Sequence, residues 1–255
     1  MELIHYNFFT IGSIIATIFC FYIARLLLTI PDRSSASNHL GLAIFFLGMF
    51  HTGYFFSFSI NDPISAYARW LVCPTAMFGA IELGRFFINF KDTDAKRKDR
   101  IFAYILYGIV LIGEIYFIAA SWNSTRIYYP QSHYADFILP GFYKVYSVSV
   151  FSYFIVFSIT GILTYRRVSK EDKFTALAIL IAFLIVTIIP GVLNALSRDG
   201  AVSRATYQAS VDLLVVIGLF FVVIIYINNT DDKTTIISLE SLEFLWLPSC
   251  WFYRG

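Results

Sequence analysis

Charged residues are scarce in this sequence: Asp, Glu, Lys and Arg make up 14% of 255 positions, against about 25% in an ordinary soluble domain. Nineteen Lys and Arg with seventeen Asp and Glu cannot clothe a chain that is 58% hydrophobic without leaving very large apolar patches in water. A soluble globular domain is therefore excluded, and so is a disordered chain, which needs the opposite composition. A net charge of +2 gives no reason to expect a nucleic-acid partner. Cysteine is also scarce. Cys20, Cys73 and Cys250 are too scattered for a disulfide framework or a metal cluster with closely spaced ligands. Catalytic signatures are missing: no His-Glu-x-x-His, Gly-x-Ser-x-Gly or Gly-x-x-x-x-Gly-Lys occurs, so neither enzymatic activity nor a cofactor is expected. The last apolar stretch contains no lysine to hold retinal as a Schiff base, which argues against a rhodopsin.

Apolar stretches, by contrast, are abundant. Roughly 20 helical residues cross a hydrocarbon core, and seven stretches reach that length: Phe8 to Leu28, Leu40 to Ile60, Ile64 to Phe90, Ile101 to Ala120, Leu139 to Tyr165, Phe174 to Leu196 and Ala205 to Ile227. Runs such as Ala176 to Ile189 are apolar on every side, which suits helices and not the alternating strands of a membrane barrel. The expected fold is all-α: a polytopic bundle of seven transmembrane helices over residues 1–230, followed by a short tail, 231–255. No basic residue precedes the first stretch, as a secretory signal would require, so that stretch is expected to remain as a helix.

Cytoplasmic loops carry the excess of Lys and Arg. Twelve fall on one side: Arg25, Arg33, Lys91, Lys96, Arg97, Lys98, Arg100, Arg166, Arg167, Lys170, Lys173 and Lys233. At most five fall on the other: Arg69, Arg126, Lys144, Arg198 and Arg204. The N-terminus is thus expected outside and the C-terminus in the cytoplasm. The longest outer connector, Ser121 to Phe137, is rich in Tyr and Trp and reads as a segment resting at the membrane interface, with a lid as the alternative. The tail is apolar but broken by Glu240, Glu243 and Pro248, which suits an interfacial or truncated segment better than an eighth crossing.

An ionisable residue inside a bilayer costs roughly 2.5 to 3.5 kcal/mol on insertion scales, so each asks for a partner or a function. Glu82 and Arg85 lie three apart on one helix face and are expected to form a structural ion pair, the alternative being that Glu82 answers to a ligand or proton while Arg85 snorkels to the cytoplasmic face. His51, Glu114, Lys144 and Asp212 come from four different stretches and are placed by the orientation in the middle or outer half. With Asn194, one turn beyond a kink expected at Pro190 and Gly191, they are the expected ligand-binding groups of a polar cavity. Mutual pairing of these charges without any cavity stays open as the second reading. No metal is assigned to His51, because a lone histidine on an apolar helix is more often a packing residue. Ala76, Ala80 and Gly84 recur every four residues, a stripe that lets another backbone approach closely.

The runs FYIARLLLTIPDRSSASNHLGLAIFFLGMF, ARWLVCPTAMFGAIELGRFF and GFYKVYSVSVFSYFIVFSITGILTYRR resemble the seven-helix N-terminal sensor region found ahead of bacterial histidine kinases, serine phosphatases and nucleotide cyclases, notably in spirochaetes. The likeness covers roughly Phe8 to Lys233. It implies a multi-pass protein of the bacterial inner membrane. Such a module senses a small or lipophilic ligand from outside or within the bilayer and passes helix movement to a cytoplasmic signalling partner or output domain, which is absent from this chain. Self-association as a homodimer is left open. The rival expectations are a small transporter or channel subunit that uses the intramembrane charges, and a non-catalytic scaffold.

Overall fold

The computed structural model describes residues 4, 6–30, 33–72, 74–91, 96–130, 133–198 and 200–229. The tail 231–255, Cys73 and Cys250 lie outside the described residues. Among the described residues, eight helices and one hairpin follow in chain order: α1 (Phe8–Leu28), α2 (Ser35–Ser59), α3 (Ser65–Val72), α4 (Thr75–Asn89), α5 (Lys96–Ser121), β1 (Arg126–Tyr129), β2 (Tyr134–Phe137), α6 (Pro140–Arg167), α7 (Lys170–Arg198) and α8 (Arg204–Asn229). Six of them, α1, α2, α5, α6, α7 and α8, are long and apolar enough to cross a membrane, which makes the chain a multi-pass, predominantly α-helical membrane protein.

Local sequence chemistry sets the helix ends. Asn7 caps α1 by accepting from the Thr10 amide at 2.9 Å. Ser34 caps α2 by accepting from the Ser37 amide at 3.0 Å; caps of this kind stabilise by about 1 kcal/mol. Arg166 and Arg167 close α6, and Glu171 and Asp172 open α7, the charge order that complements the helix dipoles. Arg167 also donates from Nη2 to the carbonyls of Ile88 at 3.0 Å and Phe90 at 3.1 Å, so the last turn of α6 satisfies carbonyls at the end of α4.

The third apolar stretch departs from expectation. Instead of one helix from Ile64 to Phe90, α3 ends at Val72 and α4 begins at Thr75. Pro74 explains the break: it has no amide to donate, and its ring collides with the carbonyl four residues back in a continuing helix. Eight residues of α3 and fifteen of α4 rise about 12 and 22 Å, so neither alone matches a core about 30 Å thick. Pro190, by contrast, lies inside an unbroken α7, where it removes the amide that would otherwise reach the Val186 carbonyl.

Six helices close into a ring. α1 packs on α2, α2 on α4, α4 on α6, α6 on α7, α7 on α8, and α8 returns to α1. α5 leans on α4 outside this ring and exposes Ile101, Ile105, Ile109, Ile112 and Ile115, the surface that lipid tails cover. The α7–α8 contact is close because Gly218 has no side chain: a Cβ there would lie 2.3 Å from Val186 Cγ2. Gly218→Ala is therefore expected to destabilise the fold by about 1 to 3 kcal/mol through overpacking, read as a lowered midpoint in detergent-induced unfolding. Gly84, in the small-residue stripe, has its nearest neighbours in Thr160 and Phe157 of α6, so the stripe receives another helix at that position.

The connector between α5 and α6 carries the β-hairpin. β1 and β2 pair antiparallel, with Arg126 opposite Phe137 and Tyr129 opposite Tyr134. Ala135 and Phe137 bury against Ala66 and Phe117 in a small second core. The Arg126 guanidinium lies 5.2 Å above the Tyr67 ring and 5.6 Å from that of Phe137. Arg126→Ala is expected to loosen the hairpin from α3 by about 0.5 to 1 kcal/mol, visible as faster amide exchange in residues 126–129 with the helices unchanged.

Candidate functional site: a central cavity between two polar clusters

Among the helices of the ring lies a partly open cavity of about 170 Å³ lined by residues of α2, α4, α6, α7 and α8. Small residues make the space: Ala43 on α2, Ala76, Gly79 and Ala80 on α4, and Gly191 on α7. The aromatic rings of Phe50, Phe154, Phe157 and Phe183 also line it. Its polar lining is limited to Tyr54, Thr187, Asn194 and Tyr207, and no charged side chain is among the lining residues. The Thr187 hydroxyl donates to the Phe183 carbonyl at 2.7 Å. The hydroxyls of Tyr54 and Tyr207 approach to 3.3 Å across α2 and α8, long for a pair whose usual separation is about 2.7 to 2.8 Å.

The first polar cluster joins α1, α2 and α8. His51 is fully buried and Asp212 nearly so, and His51 Nδ1 lies 3.0 Å from Asp212 Oδ1. The approach is off the hydrogen-bonding direction, and among the described residues neither ring nitrogen of His51 has a hydrogen-bond partner; the contact is ionic or dipolar in character. Gln208, one turn before Asp212, donates from Nε2 to Asp212 Oδ1 at 2.9 Å and to Ser13 Oγ at 3.1 Å. Gly12 leaves room for the carboxylate, since a Cβ there would come within 2.6 Å of Asp212 Oδ2.

The second cluster joins α2, α4 and α5. Arg85 donates from Nη1 to Glu82 Oε1 at 2.9 Å, the expected pair. It also forks onto Asp99, from Nε to Oδ1 at 3.1 Å and from Nη2 to Oδ2 at 3.1 Å. His39 Nδ1 lies 2.6 Å from Glu82 Oε2, and its Nε2 lies 4.0 Å from Asp99 Oδ2. The Tyr107 hydroxyl donates to Glu82 Oε1. Glu82 is 1% exposed and Asp99 4%, so both carboxylates depend on protein groups for solvation. Two carboxylates against one guanidinium leave a formal deficit of one positive charge, and the His39 imidazole is the group placed between them.

The sequence-derived ligand set thus separates. His51 and Asp212 meet, but in the α1–α2–α8 cluster and not in the cavity wall. Asn194 does line the cavity. Glu114 sits half-buried on peripheral α5, three positions before Phe117 of the small second core, with no hydrogen bond or ion pair among the described residues. Lys144 belongs to α6, and its side chain lies outside the described residues. Sequence reasoning missed His39, Asp99 and Tyr107. Asp99 was hidden as the lone acid in the basic run Lys96 to Arg100, and His39 lies one residue before the second apolar stretch. Gln208 was visible as the i−4 neighbour of Asp212; Ser13 carried no signal. Among the described residues, no set of three or more His, Cys, Asp and Glu side chains is arranged to hold a metal ion. No family model, curated protein or solved structure matches this chain.

Proposed function

We propose that the chain is a receptor-like input module of a bacterial inner membrane. In this reading it crosses the bilayer seven times, with α3 and α4 together forming the third crossing, the N-terminus outside and the C-terminus in the cytoplasm. It detects a small or lipophilic signal and passes helix movement to a cytoplasmic partner or output domain. The observation that carries the reading is the central cavity: its wall draws on five helices, so filling it bears on the packing of most of the ring. A ligand shifts such an equilibrium only by binding one packing better than the other. The uneven division of Lys and Arg between the two sides supports the orientation.

The uncharged lining makes a poor wall for an ion path, and for that reason the transporter or channel reading is not preferred. The test is mechanical. Spin labels are placed at Arg100 and Arg166, both exposed, near the inner ends of α5 and α6. Ala80→Leu, which fills part of the cavity, is expected to shift the distance distribution between them. An unchanged distribution in lipid nanodiscs, with the variant folded, would count against an input module.

A further inference from the structure

We propose that the central cavity takes a compact, uncharged and mainly apolar molecule, about the size of a substituted benzene ring, held without a covalent bond and oriented by one hydroxyl or carbonyl group at Tyr54 and Tyr207. The inference rests on the receptor reading and names the chemistry of its ligand.

Charge is excluded first. A carboxylate or ammonium entering this space would leave much of its solvation behind and find no opposite charge among the lining residues, an unfavourable transfer for an ion. His51, Asp212 and the Glu82–Arg85–Asp99 cluster do not compensate, because none of them lines the cavity and their charged atoms are engaged with one another. A covalent adduct is excluded by the same residues, since neither lysine nor cysteine is among them. Size follows from volume: about 170 Å³ is close to the roughly 150 Å³ of an engineered apolar cavity that stays dry and binds benzene. The wall is chiefly aromatic and aliphatic, and aromatic walls favour an aromatic guest through offset or edge-to-face contacts.

Orientation comes from the few polar groups. The Thr187 donor is already committed to the Phe183 carbonyl. The two tyrosine hydroxyls contact each other at 3.3 Å, and a guest oxygen at that end can exchange hydrogen bonds with either of them, because each hydroxyl has one proton and two lone pairs. The proposed ligand therefore has one polar end and an apolar body.

The test uses four probes of closely similar size on the full chain in lipid nanodiscs: ethylbenzene, 4-ethylphenol, the benzoate anion and the benzylammonium cation. Binding is read as a concentration-dependent rise in unfolding midpoint, with Ala80→Leu and Val215→Leu as cavity-filling controls that separate cavity binding from general effects on the bilayer. The expected result is that ethylbenzene and 4-ethylphenol stabilise the unmodified chain and lose that effect in whichever control folds. Tyr207→Phe should weaken 4-ethylphenol by about fivefold, one net hydrogen bond, and leave ethylbenzene unchanged. Stabilisation by either ion that the controls abolish would overturn the proposal, as would absence of any effect from the neutral probes. The two readings fail separately: neutral probes that bind without moving the inner helix ends sink the input module alone, whereas an ion that binds in the cavity and moves them sinks only the ligand class.

Discussion

Arg85→Ala is expected to destabilise the fold by about 3 to 5 kcal/mol, the largest effect of any single substitution considered for this chain. The guanidinium makes hydrogen bonds to Glu82 and in forked geometry to Asp99. Its removal leaves two carboxylates, 1% and 4% exposed, with His39 and the Tyr107 hydroxyl as the remaining partners. Ordinary interhelical hydrogen bonds in membranes average about 0.6 kcal/mol, so a loss of several kcal/mol would mark stranded charge and not lost bonding. Because α5 lies outside the ring and leans on α4, the damage should concentrate there, seen as accelerated amide exchange along α5 before the ring opens. Reversible detergent-induced unfolding measures the total. The triple variant Arg85→Ala, Glu82→Gln, Asp99→Asn should regain a large part of the loss, because neutral amides are not left uncompensated. If Arg85→Ala unfolds within about 1 kcal/mol of the parent, water reaches the carboxylates and the cluster is not a buried tie.

The apolar stretches were legible because hydropathy along the chain reports what solvent a segment demands. Six of the seven expected stretches correspond to helices long and apolar enough to cross a membrane. The third was misread as continuous because its average composition conceals what Pro74 does to the backbone. Facing was much less legible. Phe157 and Ile159 on α6 differ by two positions and little in hydropathy, yet one is fully buried and the other 52% exposed. Val215 and Ile217 on α8 divide the same way. In a soluble helix polarity separates inside from outside, but lipid tails are as apolar as the core, so that contrast vanishes. The ring, its cavity and the peripheral place of α5 therefore could not be read from periodicity.

Ionisable residues were easier to find than to group. Each is conspicuous against an apolar background, and Glu82 with Arg85 could be paired because helix geometry alone brings positions three apart together. The partners on other helices follow from which helices pack together. That is why His39 and Asp99 were missed, and why Asn194 and Asp212, both expected at one ligand site, belong to different environments.

Asp212→Ala tests that division directly. It removes the acceptor for Gln208 Nε2 and the carboxylate beside His51, leaving polar groups that are 0% exposed without that partner. The expected cost is about 1 to 3 kcal/mol, measured by the same detergent-induced unfolding. Asp212→Asn retains an oxygen that can accept from Gln208 and should lie closer to the parent. Gly12→Ala, whose added Cβ would come within 2.6 Å of the carboxylate oxygen, should weaken the same α1–α8 contact by displacing it. Neither residue lines the cavity, so Asp212→Ala should change the affinity for 4-ethylphenol by no more than about twofold, the scatter expected of uncoupled sites. The opposite pattern, unchanged stability with a large loss of affinity, would return Asp212 to the ligand site that its position in the sequence first suggested. It would also mean that the tie between α1, α2 and α8 is held by apolar packing alone.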